Sequence, residues 1–298
     1  SVVPALVLLV GMCFVPETPR WLLSKGRLKE CRKVLQKIEP ENTVNDLIGQ
    51  MEVEIEKDRN SAVGWRYLMQ PWLRTPLMIA VCIMFFQQFV GINTVIYYSP
   101  KIFLMAGFES TLSAIWASVG IGIVNVVFTV ISLYLVDRIG RQKLYFIGLS
   151  GIAFSVLCLS ACFIYANQLG EIGRWLMVIF MFGYVAFFAI SIGPLGWLVI
   201  SEIFPQKVRG LGTSIGSLAV WIFNCIVSFT FFKIIDFFSI PGTEIVVGQT
   251  TSENPAGAFF LYGFIAVLGL VWGYLFLPET KGLSLEEIEQ KWRKNREC

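Results

Sequence analysis

Six stretches of the chain are apolar for long enough to cross a bilayer, and short charged or glycine-rich segments separate them. They run Leu77–Met105, Leu112–Val136, Leu144–Leu169, Arg174–Ile200, Leu211–Ile235 and Ala256–Leu277. Each meets or exceeds the roughly 20 residues that a spanning helix needs. Runs of this length give the helical type of membrane protein rather than a barrel, whose strands alternate. Ser1–Val15 is a seventh apolar piece, too short for a span. It has no initiator Met, no basic leader and no small-residue cleavage site, so it does not read as a signal peptide. It reads as the end of a truncated helix, and the chain as a fragment of a larger protein that lacks everything upstream.

Glu17–Thr75 is the one large soluble segment. Within it Lys25–Ile38 predicts a basic amphipathic helix with Leu28, Cys31, Val34, Leu35 and Ile38 on the apolar face. Pro40 ends it, and Asn45–Arg59 predicts an acidic helix with Leu47, Ile48, Met51 and Ile55 inward. A further short helix is expected over Leu283–Arg296, with Ser284 as its cap and Glu286 and Glu287 in the first turn. Ser239–Pro255, rich in Thr, Gly and Ser, is the longest outer loop and reads as solvated and mobile.

Composition agrees with the pattern: 55% of residues are hydrophobic and 15% charged, with mean hydropathy +0.67. Charge supplies the orientation. Of 24 Lys and Arg, 11 lie in Glu17–Thr75, three in Asp137–Lys143, two in Glu202–Arg209 and five after Glu279. Lys101, Arg174 and Lys233 are left, each at the opposite end of a span. The four basic segments therefore face the cytoplasm, and the chain starts outside and ends inside. The net charge of +3 comes from this topology and calls for no nucleic-acid partner. The expected place is a plasma or inner membrane, crossed several times, with linker and C-terminus cytoplasmic.

Histidine is absent, which removes His-based triads, imidazole metal sites and histidine proton relays. No metal and no cofactor is expected, and an intramembrane enzyme would have no catalytic group. Of seven cysteines none lies in an outer loop, which argues against a structural disulfide.

The spans carry no Asp, Glu, Lys or Arg from Leu77 to Ser99, Leu112 to Val136, Leu144 to Leu169, Trp175 to Ser201, Leu211 to Phe232 and Ala256 to Leu277. A site for an ion or a proton normally leaves an ionisable residue there. The spans instead hold Gln87, Gln88, Asn93, Asn125, Trp197, Trp221 and Asn224. Amides supply the donor and the acceptor that a hydroxyl needs. Indole faces pack on the C–H face of a pyranose while the N–H donates. The inventory suits a neutral guest with many hydroxyls. Gln88 and Asn93 are five residues apart, so a regular helix would separate them; Gly91 permits a local break that brings them together. Gly193-Pro194-Leu195-Gly196 predicts a second kink beside Trp197.

Other readings stand beside these. Asn125 and Asn224 fit interhelical hydrogen bonding as well as ligand contact. Trp197 lies near the inner charged segment and fits an interfacial anchor. Tyr97 and Tyr98 fit an outer gate or an aromatic belt. On the inner side, Asp137-Arg138-Ile139-Gly140-Arg141 and the loop from Glu202 to Arg209 place acids beside bases, as do Glu279 and Lys281. Ion pairs that form in one conformation and break in another account for that pattern.

Pro16–Leu22, Gln87–Asn93, Asp137–Arg141, Ser201–Gly210 and Pro278–Gly282, in this order over nearly the whole chain, resemble the motifs of the sugar-porter family of the major facilitator superfamily. The resemblance implies an all-α membrane protein. It would be the C-terminal six-helix half of a twelve-helix transporter (76–278), preceded by the end of the sixth helix (1–16) and an intracellular helical linker (17–75), and followed by a cytoplasmic helix (279–298). It implies that Gln87, Gln88, Asn93, Asn125 and Trp197 contact sugar, that Trp221 and Asn224 lie on the site-lining helix, and that Asp137, Arg138, Arg141, Glu202 and Arg209 form the inner gate. The chain departs from the family at Val220, where Asn or Gln is frequent, at Ala189, where glucose facilitators often have Glu, and at Gln142, where a second arginine is frequent. These departures lean toward the proton-symporter side.

The expectation is thus a carrier for a neutral monosaccharide, hexose, pentose or related polyol, working by alternating access between this half and a missing N-terminal one. Proton coupling is the first expectation, and its acid would lie in the missing half. Uniport and a transporter-like sugar sensor are the alternatives. A seven-helix receptor would share the span count, but it predicts a short first cytoplasmic loop and an outer disulfide.

Overall fold

The computed structural model describes residues 2–60, 65–108, 110–205, 208–239, 245–247, 250–282 and 292. It divides into two compact units, Ser1–Gly64 and Trp65–Cys298.

The first unit holds four helices: α1 (Val2–Phe14), α2 (Pro19–Ser24), α3 (Leu28–Leu35) and α4 (Glu41–Asn60). α2 was not expected. Its signal is Thr18-Pro19, since the Thr18 hydroxyl accepts from the Trp21 N–H and the proline sits where no helical N–H is needed. Leu22 of α2, Cys31 and Leu35 of α3, and Val44 and Ile48 of α4 make a small buried core, with Leu23, Val34 and Met51 against it. Ile38 departs from its expected inward place and is 67% exposed. α3 stops at Leu35, so the residues after it leave the helical face. α4 begins at Glu41, directly after Pro40 and four residues before the expected start. The C-terminal helix expected over Leu283–Arg296 lies outside the described residues, apart from position 292.

The second unit opens with a short helix, α5 (Trp65–Leu68), and a 3-10 turn over Pro71–Leu73. Among the described residues six membrane-length segments follow, as the apolar runs predict. Two of them are broken. The first comprises α6 (Arg74–Phe89) and α7 (Ile92–Met105). α8 (Thr111–Ile139) and α9 (Arg141–Ile164) are continuous. The fourth comprises α10 (Ala166–Ile190) and α11 (Ile192–Ile203). α12 (Arg209–Phe237) and α13 (Ala256–Phe276) complete the set. α9 ends at Ile164 rather than Leu169, and the chain reaches the body of α10 through Gly170, which is non-helical at φ 53°. The outer loop is not wholly irregular. Ile245–Val247 (β1) and Thr250–Ser252 (β2) pair antiparallel, with Val247 opposite Thr250.

Burial places the centre of the bundle. In their most apolar stretches, 67% of the α6–α7 segment and 61% of α9 is buried, against 11% of α8. α9 packs most extensively on α13 and α10. Glycines permit the approach: a Cβ on Gly148 would overlap the hydroxyl of Ser191, between α10 and α11, and one on Gly273 would meet the Tyr145 ring of α9 at 2.4 Å. Small residues at such seams let helices gain dispersion contacts where lipid removes the hydrophobic drive.

The first break falls at Gly91, as its position between Gln88 and Asn93 predicts. Its φ is +87°, a left-handed conformation open to glycine, and a Cβ there would lie 2.3 Å from the Tyr262 ring of α13. The second break comes earlier than expected. It lies at Ser191 (φ −126°, ψ −104°), three residues before Pro194. Pro194 is the third residue of α11, a first-turn position where proline costs no internal hydrogen bond. The carbonyl it cannot serve, that of Ile190, accepts from the Ser132 hydroxyl of α8 at 2.8 Å.

Gly91→Ala should lower stability by roughly 1–3 kcal/mol, because it imposes both a strained φ and a clash. Gly122→Ala, in α8 with open space around its Cβ, should be neutral or slightly stabilising. Thermal unfolding of both variants in detergent checks this; equal melting temperatures would remove the special role of the break.

Candidate functional site

Helices α6, α7, α8, α10, α11 and α12 enclose a cavity of about 340 Å³, within the usual size range for small-molecule sites. Gln87, Gln88, Asn93, Asn125, Trp197, Trp221 and Asn224 all line it. No Asp, Glu, Lys or Arg is among its lining residues. The sequence did not single out Ile92, Thr129, Phe188, Gly193 and Pro194 as lining residues. Thr129 had a usable signal, one turn beyond Asn125 on α8. Phe188 had none, since phenylalanine is common throughout these spans. Ala189 and Val220 also border the cavity and present no hydrogen-bonding group.

The break at Gly91 folds Asn93 back toward Gln88, and a chain of amides results. Asn93 Nδ2 donates to Gln88 Oε1. Gln88 Nε2 donates to Gln87 Oε1 at 3.2 Å. Gln87 Nε2 donates to the carbonyls of Ile192 and Gly193 at 3.1 and 2.7 Å. Both N–H groups of Gln87 are thereby used. Gln88 keeps one donor, Asn93 its carbonyl oxygen and a second N–H, and the Asn125 amide has no partner among the described residues. Asn125 thus has no interhelical bond to make here, and its groups stay available to a guest.

Asn224 differs. Its Nδ2 donates to the Tyr97 hydroxyl at 3.4 Å and its Oδ1 accepts from Ser228 at 3.0 Å, so it links α12 to α7 as well as lining the cavity. Tyr97 is exposed on the cavity side. Tyr98 turns away: its ring stacks on Phe231 at 5.5 Å and its hydroxyl reaches the Ser228 carbonyl, within the α7–α12 seam. Trp197 and Trp221 line the cavity and are 46% and 66% exposed overall.

A separate polar cluster joins the end of α8, the start of α9, the end of α11 and the segment after α13. Arg141 holds Glu202 through two bonds, at 2.8 and 3.3 Å, and lies 3.4 Å from Asp137. Glu202 also accepts from Thr280 at 2.6 Å. Glu279 accepts from the backbone N–H groups of Arg141 and Gln142, which cap the start of α9, and from that of Lys281. Gly140, at φ +97°, leaves room: a Cβ there would sit 2.8 Å from the Glu279 carboxylate. Burial raises the Glu279 pKa, but the three backbone donors and Arg141 outweigh it, and the carboxyl is held below its ordinary value. Arg138 contributes only its carbonyl, to Lys281 Nζ at 2.7 Å. Arg209 stands outside the cluster; its Nε and Nη2 are buried without a hydrogen bond among the described residues.

A family model described as "Sugar (and other) transporter" matches residues 1–292. Glucose transporter GlcP of Staphylococcus epidermidis is 36% identical over 98% of this chain and 61% of its own length. The D-xylose-proton symporter of Escherichia coli (strain K12) is 34% identical over 97% of this chain and 55% of its own. Among solved structures, the inward-open xylose transporter XylE from E. coli superposes with a TM-score of 0.72 at 30% identity, over 97% of this chain and 55% of that one. The chain thus spans little more than half the length of these relatives.

The Glu279 cap makes a pH prediction. A carboxyl with a depressed folded-state pKa contributes stability that is present above its ordinary value of 4.5 and is lost as pH falls through the folded-state value. The melting temperature should fall with acidification below that point. Glu279→Gln should start lower and show a shallower fall; an identical pH slope in the two proteins would exclude the cap as its source.

Proposed function

The chain belongs to the sugar (and other) transporter family, and from that premise we propose that it forms the C-terminal six-helix half of a carrier for a neutral monosaccharide or related polyol. The observation that carries this is the cavity, whose described lining holds amides and indoles and no Asp, Glu, Lys or Arg. Free amide groups on Gln88, Asn93 and Asn125 serve hydroxyls, and Trp197 and Trp221 offer ring faces to the C–H surface of a sugar. Relatives named as a glucose transporter and as a D-xylose-proton symporter fit that class of guest.

Transport proceeds by alternating access, with the guest held near the level of the two helix breaks while the halves rock around it. The basic segments face the cytoplasm, and the Arg141–Glu202–Glu279 cluster lies at that end. It closes the inner side in one state and opens in the other. Uptake is proton-driven. The titrating acid belongs to the other half, because no carboxyl side chain is among the described residues that line this cavity.

Uptake of labelled glucose and xylose by the complete carrier in proteoliposomes, with and without an inward proton gradient, tests the reading. Accumulation above equilibrium is expected only with the gradient. Equilibration regardless of the gradient would make it a uniporter, and binding without uptake a sensor. Gln88→Ala should weaken sugar binding by roughly 1–3 kcal/mol, as for a lost buried hydrogen bond, with normal protein levels in the membrane. Unchanged affinity would remove Gln88 from the site.

Arg141→Ala should shift the carrier toward its inward-accessible state, because it removes the two bonds to Glu202. Labelling of single cysteines from either side checks the direction, and an unaltered ratio would discard the gate role.

A further inference from the structure

The two helix breaks are braced by side chains from each other's segments. At the first, the carbonyl of Val90 at the end of α6 accepts from the Tyr184 hydroxyl of α10 at 2.8 Å. Tyr184 is fully buried and lies seven residues before the second break, at Ser191. At that second break, the carbonyls of Ile192 and Gly193 accept from Gln87 of α6, which lies four residues before the first break, at Gly91. Each broken helix therefore sends one side chain, from just ahead of its own break, to carbonyls at the other's. Gln87 is 2% exposed, and its donors are spent on this bracing. Tyr184 is not among the residues that line the cavity.

We propose that Tyr184 and Gln87 are positioning residues that couple the two breaks, so that α7 and α11 shift together when the cavity takes up or releases its guest. The inference rests on the sugar-binding reading of the cavity for its effect on affinity, and on the backbone alone for the coupling. The Val90–Gly91 junction fixes where Asn93 meets Gln88. The Ile192–Gly193 junction fixes where α11 presents Trp197. With one brace released, the geometry of both junctions loosens. Both adjacent amides line the cavity, but Gln87 has both N–H groups on the frame while Gln88 keeps one donor.

The test uses the complete carrier in nanodiscs. Tyr184→Phe removes one hydroxyl and keeps the ring. Tyr145→Phe is the control, because that buried hydroxyl also donates to a helical carbonyl, Gly269 at 3.0 Å, away from the cavity. Tyr184→Phe should speed amide hydrogen exchange in peptides covering both Val90–Val95 and Ser191–Leu195. It should weaken sugar binding about fivefold, the scale of one net hydrogen bond, and shrink the penalty of Asn93→Ala in the double variant. Gln87→Met should speed exchange in the same two peptides. Tyr145→Phe should lower the melting temperature and change neither peptide nor the affinity. Faster exchange at Val90–Val95 alone would show that the breaks act independently and overturn the coupling. Additive effects of Tyr184→Phe and Asn93→Ala would overturn the positioning role. A wild-type carrier that binds no sugar would sink the functional reading instead, and the exchange pattern would still decide the coupling.

Discussion

A backbone carbonyl freed inside an apolar bundle has no water to turn to, and that constraint organises the six-helix unit. An unpaired polar group in such surroundings costs several kcal/mol. Side chains bond the backbone at the two breaks that border the cavity. Tyr184 serves Val90, Ser132 serves Ile190, Gln87 serves Ile192 and Gly193, and Thr94 serves Gly91 at 2.7 Å. Pro100 of α7 denies a donor to Ile96, and the Ser99 hydroxyl stands 3.4 Å from that carbonyl. The breaks are thus built into the packing, and the residues that satisfy them come from α6, α7, α8 and α10, the helices that also border the cavity.

The same accounting explains the inner cluster. The first N–H groups of α9 need an acceptor, and Glu279, far along the chain, supplies it across the space that Gly140 leaves empty. A carboxylate at a helix N-terminus is favoured by the dipole as well as by the bonds. Arg141 then balances that charge and Glu202 together, and the segment after α13 is tied to the α8–α9 turn by hydrogen bonds. Such contacts can open without exposing a hydrophobic core, which is what the proposed gate requires.

Much of this was legible in the sequence. Hydropathy located all six segments, because a span must be apolar for its whole length. The inventory of Gln, Asn and Trp located the cavity, because polar groups at that depth need a reason. Gly91 marked its break for the same steric reason that the structure shows. Other features were hidden. The kink at Ser191 was displaced onto Pro194, since proline is the visible helix breaker, yet proline in a first turn breaks nothing. Tyr184 carried no signal, because a tyrosine among phenylalanines reads as core until the carbonyl at its hydroxyl is seen. The α2 helix was missed because six residues are too few for a periodic pattern, and its Thr-Pro cap was the only mark. Ile38 was assigned inward by a helical period that the chain abandons three residues earlier.

What a side chain can do for a guest depends on what it already does for the protein. Gln87, Gln88, Asn93, Asn125 and Asn224 are chemically near-equivalent, and all border one cavity. Gln87 has spent its donors on two carbonyls. Asn224 has engaged both ends of its amide with Tyr97 and Ser228. Gln88 and Asn93 retain part of their capacity, and Asn125 retains all of it. In the proposed site, hydrogen bonding to a guest therefore falls to α6, α7 and α8, while α10, α11 and α12 contribute Phe188, Ala189, Val220 and the two indoles. A flat, hydroxylated ring with one polar edge and one apolar face matches that division. An ion does not, because a charge in this cavity would meet dipoles on one side and bare hydrocarbon on the other.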